Sequence, residues 1–240
     1  MDAKELVERY VAVWNEADPA ARRDRIRSLW APDGTTCHRL LEARGHAAIE
    51  ARVTGSWEKW LREGNYIFRP NKVARHHNAV KFDWVMVTVP GGDVAAPGLS
   101  FLLLDPQGCI QADYQFNPTA NEAELLVDRY LAAWNEPDTE ARRRRIAELW
   151  APDGAFRGAR SQRHGHAALE AEIKRAHDAQ GPQGLVFVPA GRSQQYHRVA
   201  AFEWRLQAAA QGRSAAAGAE LLVLDESGRI RCDYRFDEPA

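Results

Sequence analysis

Each half of this sequence ends on an acid followed by a tyrosine, in IQADYQFN at 110–117 and in IRCDYRFD at 230–237. Read as strands, both segments alternate, because successive side chains point to opposite faces. Ile110, Ala112, Tyr114 and Phe116 then oppose Gln111, Asp113, Gln115 and Asn117, and Ile230, Cys232, Tyr234 and Phe236 oppose Arg231, Asp233, Arg235 and Asp237. Asp233 and Arg235 share a face. A carboxylate beside a guanidinium suits acid–base work or the binding of an anionic group, if that face lines a pocket. If it faces water, the two are an ordinary ion pair. His38, after Cys37, is a second candidate, since histidine titrates near neutrality and can move protons; on an exposed loop it would do nothing.

Other reactive types carry less. His46 and His166 each follow a glycine at a helix start, where they read as positional. His76 and His77 point apart in a strand, so they make no metal pair. Cys37, Cys109 and Cys232 are odd in number and lack CxxC spacing, so neither a disulfide framework nor a zinc site is expected. No metal and no cofactor is anticipated. The runs ARRDRIR (21–27) and ARRRRIAE (141–148) look basic enough for nucleic acid. Their helical spacing places Ile26, Leu29 and Trp30, or Ile146, Leu149 and Trp150, on an apolar face, which makes the arginines a solvated face.

The elements that position these residues are written twice. RYVAVWNEADPAARRDRIRSLWAPDG from Arg9 returns as RYLAAWNEPDTEARRRRIAELWAPDG from Arg129. At a constant offset of 120, Tyr10 falls on Tyr130, His46 on His166, Trp84 on Trp204 and Asp113 on Asp233. The period is too long for a solenoid repeat, so it marks two domains, 1–118 and 119–240, joined in the polar stretch NPTANEAE (117–124). Within the first, Leu6, Val7, Tyr10, Val11 and Trp14 have helical spacing over 4–16. Asp18-Pro19 caps a second helix, which runs to about Trp30 and is stopped by APDG. A short extended piece leads to a third helix from about His46. Strands follow over about 65–70, 78–88, 98–105 and 109–117, with PGGD (90–93) and DPQG (105–108) as hairpin turns. Three helices and a mostly antiparallel sheet make an α+β domain.

Composition narrows the class. The chain has 240 residues, a formal charge of −1 and 45% hydrophobic residues, without the basic excess of a nucleic-acid binder. Its start, MDAKELVERY, lacks an apolar signal core, and no apolar run approaches the ~18 residues of a membrane span. The reading is a cytoplasmic protein with neither a nucleic-acid nor a membrane partner.

RYxxxWNExD, LWAPDG, GHxAxE, HxxxxF(D/E)W and LDxxGxI, in this order in both halves, resemble the SnoaL-like branch of the nuclear transport factor 2-like superfamily. The resemblance implies two tandem cone-shaped α+β barrels. Each sheet wraps three helices around a pocket, and the two pair through their sheets as an intramolecular pseudo-dimer; further oligomerisation stays open. It implies that Asp113 and Asp233 look into the cones. Phe82, Trp84, Phe202 and Trp204 would line or fill them, beside Ser100 and Gln115. The family includes ketosteroid isomerases, in which a first-helix tyrosine and a late-strand acid form an oxyanion hole and a separate aspartate shuttles the proton. The tyrosine falls here on Tyr10 and Tyr130, the late acid on Ser100 and Glu220, and the base on His38 and Gly158. Neither half keeps the full set.

Two functions follow. One is a metal-free enzyme for proton transfer, cyclisation or hydration of a small organic substrate. The second half serves it better, through Tyr130, Glu220, Asp233 and Arg235; the first offers Tyr10, His38 and Asp113. The other is a non-catalytic ligand-binding or scaffold protein with degenerate pockets. The copies diverge at Ser100/Glu220, His38/Gly158 and Gln115/Arg235, as expected if the pockets no longer share one job.

Overall fold

In the computed structural model the chain divides into two units, Met1–Pro118 and Thr119–Ala240. The structure describes residues 1–39, 41–116, 123–191, 193–208 and 214–238. Most of the expected junction, and Asn117, lie outside these.

The first unit runs α1 (Ala3–Asn15), α2 (Pro19–Leu29), β1 (Trp30–His38), β2 (Leu41–Arg44), α3 (His46–Ser56), a π-helical turn, then β3 (Tyr66–His76), β4 (Ala79–Thr88), β5 (Val94–Leu104) and β6 (Ile110–Phe116). Its sheet has the order β2-β1-β6-β5-β4-β3, antiparallel except where β1 meets β6. The second unit repeats this as α4 (Glu124–Trp134), α5 (Thr139–Leu149), β7 (Trp150–Arg157), β8 (Gln162–His164), α6 (Gly165–Gln180), β9 (Leu185–Pro189), β10 (Gln194–Tyr196), β11 (Val199–Ala208), β12 (Ser214–Leu224) and β13 (Ile230–Asp237). The order is β10-β11-β12-β13-β7-β8, with β9 also on β11. Each unit buries one core between its helices and the inner face of its sheet. Among the described residues no helix is long and apolar enough to cross a membrane.

Most of the repeated motif is structural. Asp18 caps α2 by accepting from the Ala20 and Ala21 amides at 3.1 and 3.3 Å, ahead of Pro19 at the first helical position. Asn15 closes α1 onto β3: its amide donates to the Phe68 carbonyl at 2.8 Å and accepts from the Phe68 amide at 2.9 Å. Asn135 does the same for Phe187, at 2.7 and 2.8 Å. These partners are 119 apart, so the offset of 120 slips by one residue here and is restored by the strand pairing of β4 and β11.

The arginine runs are not wholly solvated. Arg22 is 2% and Arg142 1% exposed. Each donates to the carbonyl after its WN pair, Glu16 at 2.6 Å and Glu136 at 2.7 Å, and Arg142 also pairs with Glu170 at 2.9 Å. Their neighbours Arg23 and Arg25 remain exposed and hold Glu50 and Glu16.

APDG does not stop α2 as a turn. The helix ends at Leu29, and residues 30–38 form β1, whose register against β6 shifts between Trp30 and Thr35. A Cβ on Gly34 would lie 2.7 Å from the Ile110 carbonyl oxygen, so the two backbones can approach this closely only at glycine. β3 likewise runs past Pro70 to His76 through a register shift after Asn71, which an edge strand tolerates.

The last strand alternates imperfectly. Leu103 pairs with Ala112 but Leu104 with Ile110, so Gln111 is an extra residue and the parity changes there. Ile110 therefore joins the inner core on the side of Asp113. Arg231 is bulged in the same way, and Ile230 is core. Alternation from Ala112 and Cys232 onward holds.

Candidate functional site

The inner face of β6 carries Asp113 and Gln115 beneath α1. Tyr10, from the buried stripe of α1, donates to Asp113 Oδ2 at 2.8 Å. Thr36 of β1 donates to the same oxygen at 3.2 Å, and Gln115 Nε2 to it at 3.1 Å and to the Tyr10 hydroxyl at 2.8 Å. Three donors thus converge on one oxygen, while Asp113 Oδ1 is buried without a partner. Ser100 of β5 lies near the Tyr10 hydroxyl, and its own hydroxyl is buried without a hydrogen-bond partner. Burial pushes the Asp113 carboxyl up to about 7 although its donors oppose this, because removing a carboxylate from water costs more than three neutral hydrogen bonds return. Burial and the adjacent Asp113 hold Tyr10 as a phenol.

Arg52 of α3 reaches the edge of this cluster. Its Nη2 donates to Gln115 Oε1 at 3.3 Å and its guanidinium lies 5.2 Å from the Trp14 ring centre. His38 sits across from Gln115 in the β1–β6 register, two residues from Thr36 and so on the same face. Burial and the charges of Arg52 and Arg39 lower its proton affinity, which leaves a neutral imidazole. It is Thr36, however, that donates to Asp113.

The second unit keeps the Tyr–Asp pair and changes its surroundings. Tyr130 donates to Asp233 Oδ2 at 2.8 Å. Glu220, opposite Arg235 across β12–β13, pairs with the Arg235 guanidinium, which also donates to the Tyr130 hydroxyl at 3.3 Å. The guanidinium is boxed by rings: Trp134 at 3.7 Å, Phe187 at 5.1 Å, Trp204 at 5.2 Å and Phe156 at 5.3 Å. Burial raises Glu220 well above the usual carboxylate range and raises Asp233 as well. The charge of the neighbouring Asp233 adds to the rise at Glu220, and Glu220 Oε2 and Asp233 Oδ1 are each buried without a hydrogen-bond partner. One proton kept between these two raised carboxyls would leave a single negative charge against the guanidinium. Burial disfavours the Arg235 charge, but the adjoining carboxyls hold it protonated.

Sequence reasoning therefore named Tyr10, Asp113, Gln115 and Ser100, and Tyr130, Glu220, Asp233 and Arg235, as residues that come together. Phe82 and Phe202 meet the two tyrosine rings edge-on at 5.1 and 5.3 Å. Trp84 is half-buried against Phe68, while Trp204 is buried. His46 and His166 tie the third helices to the Trp30 and Trp150 carbonyls, at 2.9 and 3.0 Å. Thr36, Arg52, Phe156 and Glu172 went unnoticed. Their signal was available: at the 120-residue offset Thr36 falls on Phe156 and Arg52 on Glu172, so these too are positions where the copies differ. Among the described residues of either unit, no three His, Cys, Asp or Glu side chains bring ligand atoms together as a metal site would need.

Residues 127–232 match the family model described as SnoaL-like domain. The second unit is a SnoaL-like domain. The first has the same element order, except that its single strand β3 stands where the second has β9 and β10, and the same tyrosine–aspartate pair. Similar solved structures include a SnoaL-like family protein from Agrobacterium tumefaciens described as a candidate isomerase. It is 29% identical, covers 50% of this chain and 100% of its own, and has a TM-score of 0.46. A candidate polyketide cyclase from Sinorhizobium meliloti is 20% identical over 46% of this chain and 92% of its own, with a TM-score of 0.37. A candidate ketosteroid isomerase from Kribbella flavida is 15% identical over 50% and 80%, with a TM-score of 0.38. Among curated proteins none matches the chain.

Proposed function

We propose that the chain is an acid–base catalyst acting on a small organic molecule, that its working site is the Tyr10–Asp113 cluster of the first SnoaL-like unit, and that the second unit is a closed, non-catalytic copy. The observation that carries this is Asp113 itself. Its Oδ2 is fixed by three neutral donors, and its Oδ1, unpartnered like that of Asp233, has no ion pair beside it of the kind that Glu220 and Arg235 form in the second unit. With its carboxyl near 7, it can accept or return a proton at neutral pH, the condition for efficient general acid–base catalysis. A C–H proton would pass to Asp113 Oδ1, leaving an enolate, and return to a different atom of the substrate. Tyr10, held as a phenol, keeps Oδ2 occupied and orients the carboxyl. In the second unit Arg235 and its four rings occupy the corresponding interior, which supports a structural role there.

A panel of simple carbon acids tests this. Small enolisable ketones and keto acids are incubated with the full chain in deuterated buffer, and C–H to C–D exchange is followed by NMR. Exchange above the buffer rate is expected, reduced by about 10²-fold or more in Asp113→Asn and unchanged in Asp233→Asn. No exchange across the panel, or exchange that depends on Asp233, contradicts the proposal.

A further inference from the structure

Arg52 is placed differently from the other arginines around the two clusters. Arg22, Arg23 and Arg25 of its own unit, and Arg142 and Arg235 of the other, each hold a carboxylate or a backbone carbonyl. Arg52 is half-buried and holds only the neutral Gln115 amide and the face of Trp14. Among the described residues no carboxylate lies within ion-pair distance of it. Its charge is close enough to weaken proton binding at His38, as is that of Arg39, so positive charge gathers at this side of the cluster. The second unit reverses the arrangement. Glu172 stands where Arg52 would be, 4% exposed, and is closed off by Arg163 at 2.9 Å and by Arg175.

A stacked guanidinium with spare N–H groups presents a planar fork, which matches a carboxylate in two parallel hydrogen bonds. We infer that Arg52 is the docking point for the carboxylate of a small organic acid, held at the edge of the first unit's cluster with the rest of the molecule directed toward Asp113. This rests on the proposed function above and specifies its substrate class. Gln115 sets the scale. Its Oε1 accepts from Arg52 while its Nε2 donates to Asp113 and Tyr10. One amide group therefore separates the anion point from the acid, so a docked carboxylate and the proton to be moved would be only a few carbon atoms apart.

The experiment titrates the full chain with acetate and benzoate, and with acetamide and benzamide as neutral counterparts, by ligand-observed NMR and calorimetry. Saturable carboxylate binding is expected, with the amides at least about tenfold weaker, the loss of a charge-assisted hydrogen bond. Arg52→Gln should weaken benzoate by a similar factor and Arg52→Lys by less, with melting temperatures unchanged because the side chain is half-exposed. Absence of saturable binding by either carboxylate, equal binding of the amides, or undiminished benzoate affinity in Arg52→Gln overturns the inference. The two proposals fail separately. Deuterium exchange lost in Asp113→Asn, with benzoate affinity indifferent to Arg52, removes the docking point and leaves the acid–base site. Arg52-dependent benzoate binding without any exchange leaves the anion site and removes the chemistry.

Discussion

Both units fix a tyrosine and an aspartate 2.8 Å apart between the first helix and the last strand, yet four neighbouring positions give the two pairs different chemistry. In the first unit Thr36, Ser100 and Gln115 surround Asp113 with neutral groups, and Arg52 keeps the charge at the edge. In the second, Phe156, Glu220 and Arg235 bring an ion pair and an aromatic wall into the interior, and Glu172 replaces the edge cation. The changes compensate one another. Arg235 inside needs Glu220 to balance it and Phe156 to wall it, and Phe156 costs Asp233 the hydroxyl donor that Thr36 gives Asp113. The fold accepts either a lone acid poised to titrate or a closed ion cluster, and function follows from these side chains rather than from the frame that holds them.

The largest effect expected from breaking this difference is on Arg235. Arg235→Met removes the cation from a buried cluster and should cost about 3–5 kcal/mol at pH 8, read by native-state hydrogen exchange resolved over residues 123–238. The double variant with Glu220→Gln should recover most of it. Gln115→Met in the first unit, which removes only neutral hydrogen bonds, should cost about 1–3 kcal/mol. Equal costs in both units would contradict the contrast.

Next comes the pH dependence of the first unit. Unfolded Asp113 ionises near the ordinary ~3.9, whereas folded it does so at about 7. Between these values the folded chain keeps a proton that the unfolded chain has lost. Stability from this group is full below the lower value and falls as pH rises to the upper one, by up to about 4 kcal/mol. Asp113→Asn should flatten that slope and leave the chain more stable than wild type at pH 8. An unchanged slope in a denaturant series from pH 4 to 8 would assign it elsewhere.

A smaller effect separates the two tryptophans. A Cβ on Gly98 would meet the half-buried Trp84 indole at 2.1 Å, and one on Gly218 would meet Trp204 at 2.5 Å and the Phe236 carbonyl oxygen at 2.6 Å. Trp84 is only half-buried, whereas Trp204 is buried and walls Arg235. Gly218→Ala should cost about 1–3 kcal/mol and Gly98→Ala less, as paired melting curves would show.

Much of this frame was legible because its signals are local. Asp18-Pro19 announces α2, helical spacing finds the Tyr10 and Trp14 stripe, and DPQG marks the last hairpin. The strand ends and bulges were not legible. APDG has turn composition but lies within β1 as the stretch between Trp30, which pairs with Ile110, and Thr35, which pairs with Ala112, and the bulge at Gln111 appears only once β5 and β6 are in register. Site residues on the last strand could be found from alternation beyond that bulge. Arg22 could not, because a buried arginine in a basic run differs from its neighbours only in the carbonyl it reaches. Arg52 and Thr36 lie far in sequence from Asp113, and only the differences between the copies at those positions pointed to them.

The most direct test of a titrating first site beside a locked second one is a carboxyl ¹³C NMR titration of the full chain from pH 4 to 10. Asp113 should ionise near 7. Glu220 and Asp233 should keep one shared proton well above the pH at which ordinary carboxylates have lost theirs. An Asp113 that ionises near 4, or a Glu220–Asp233 pair fully ionised by pH 6, would contradict the account.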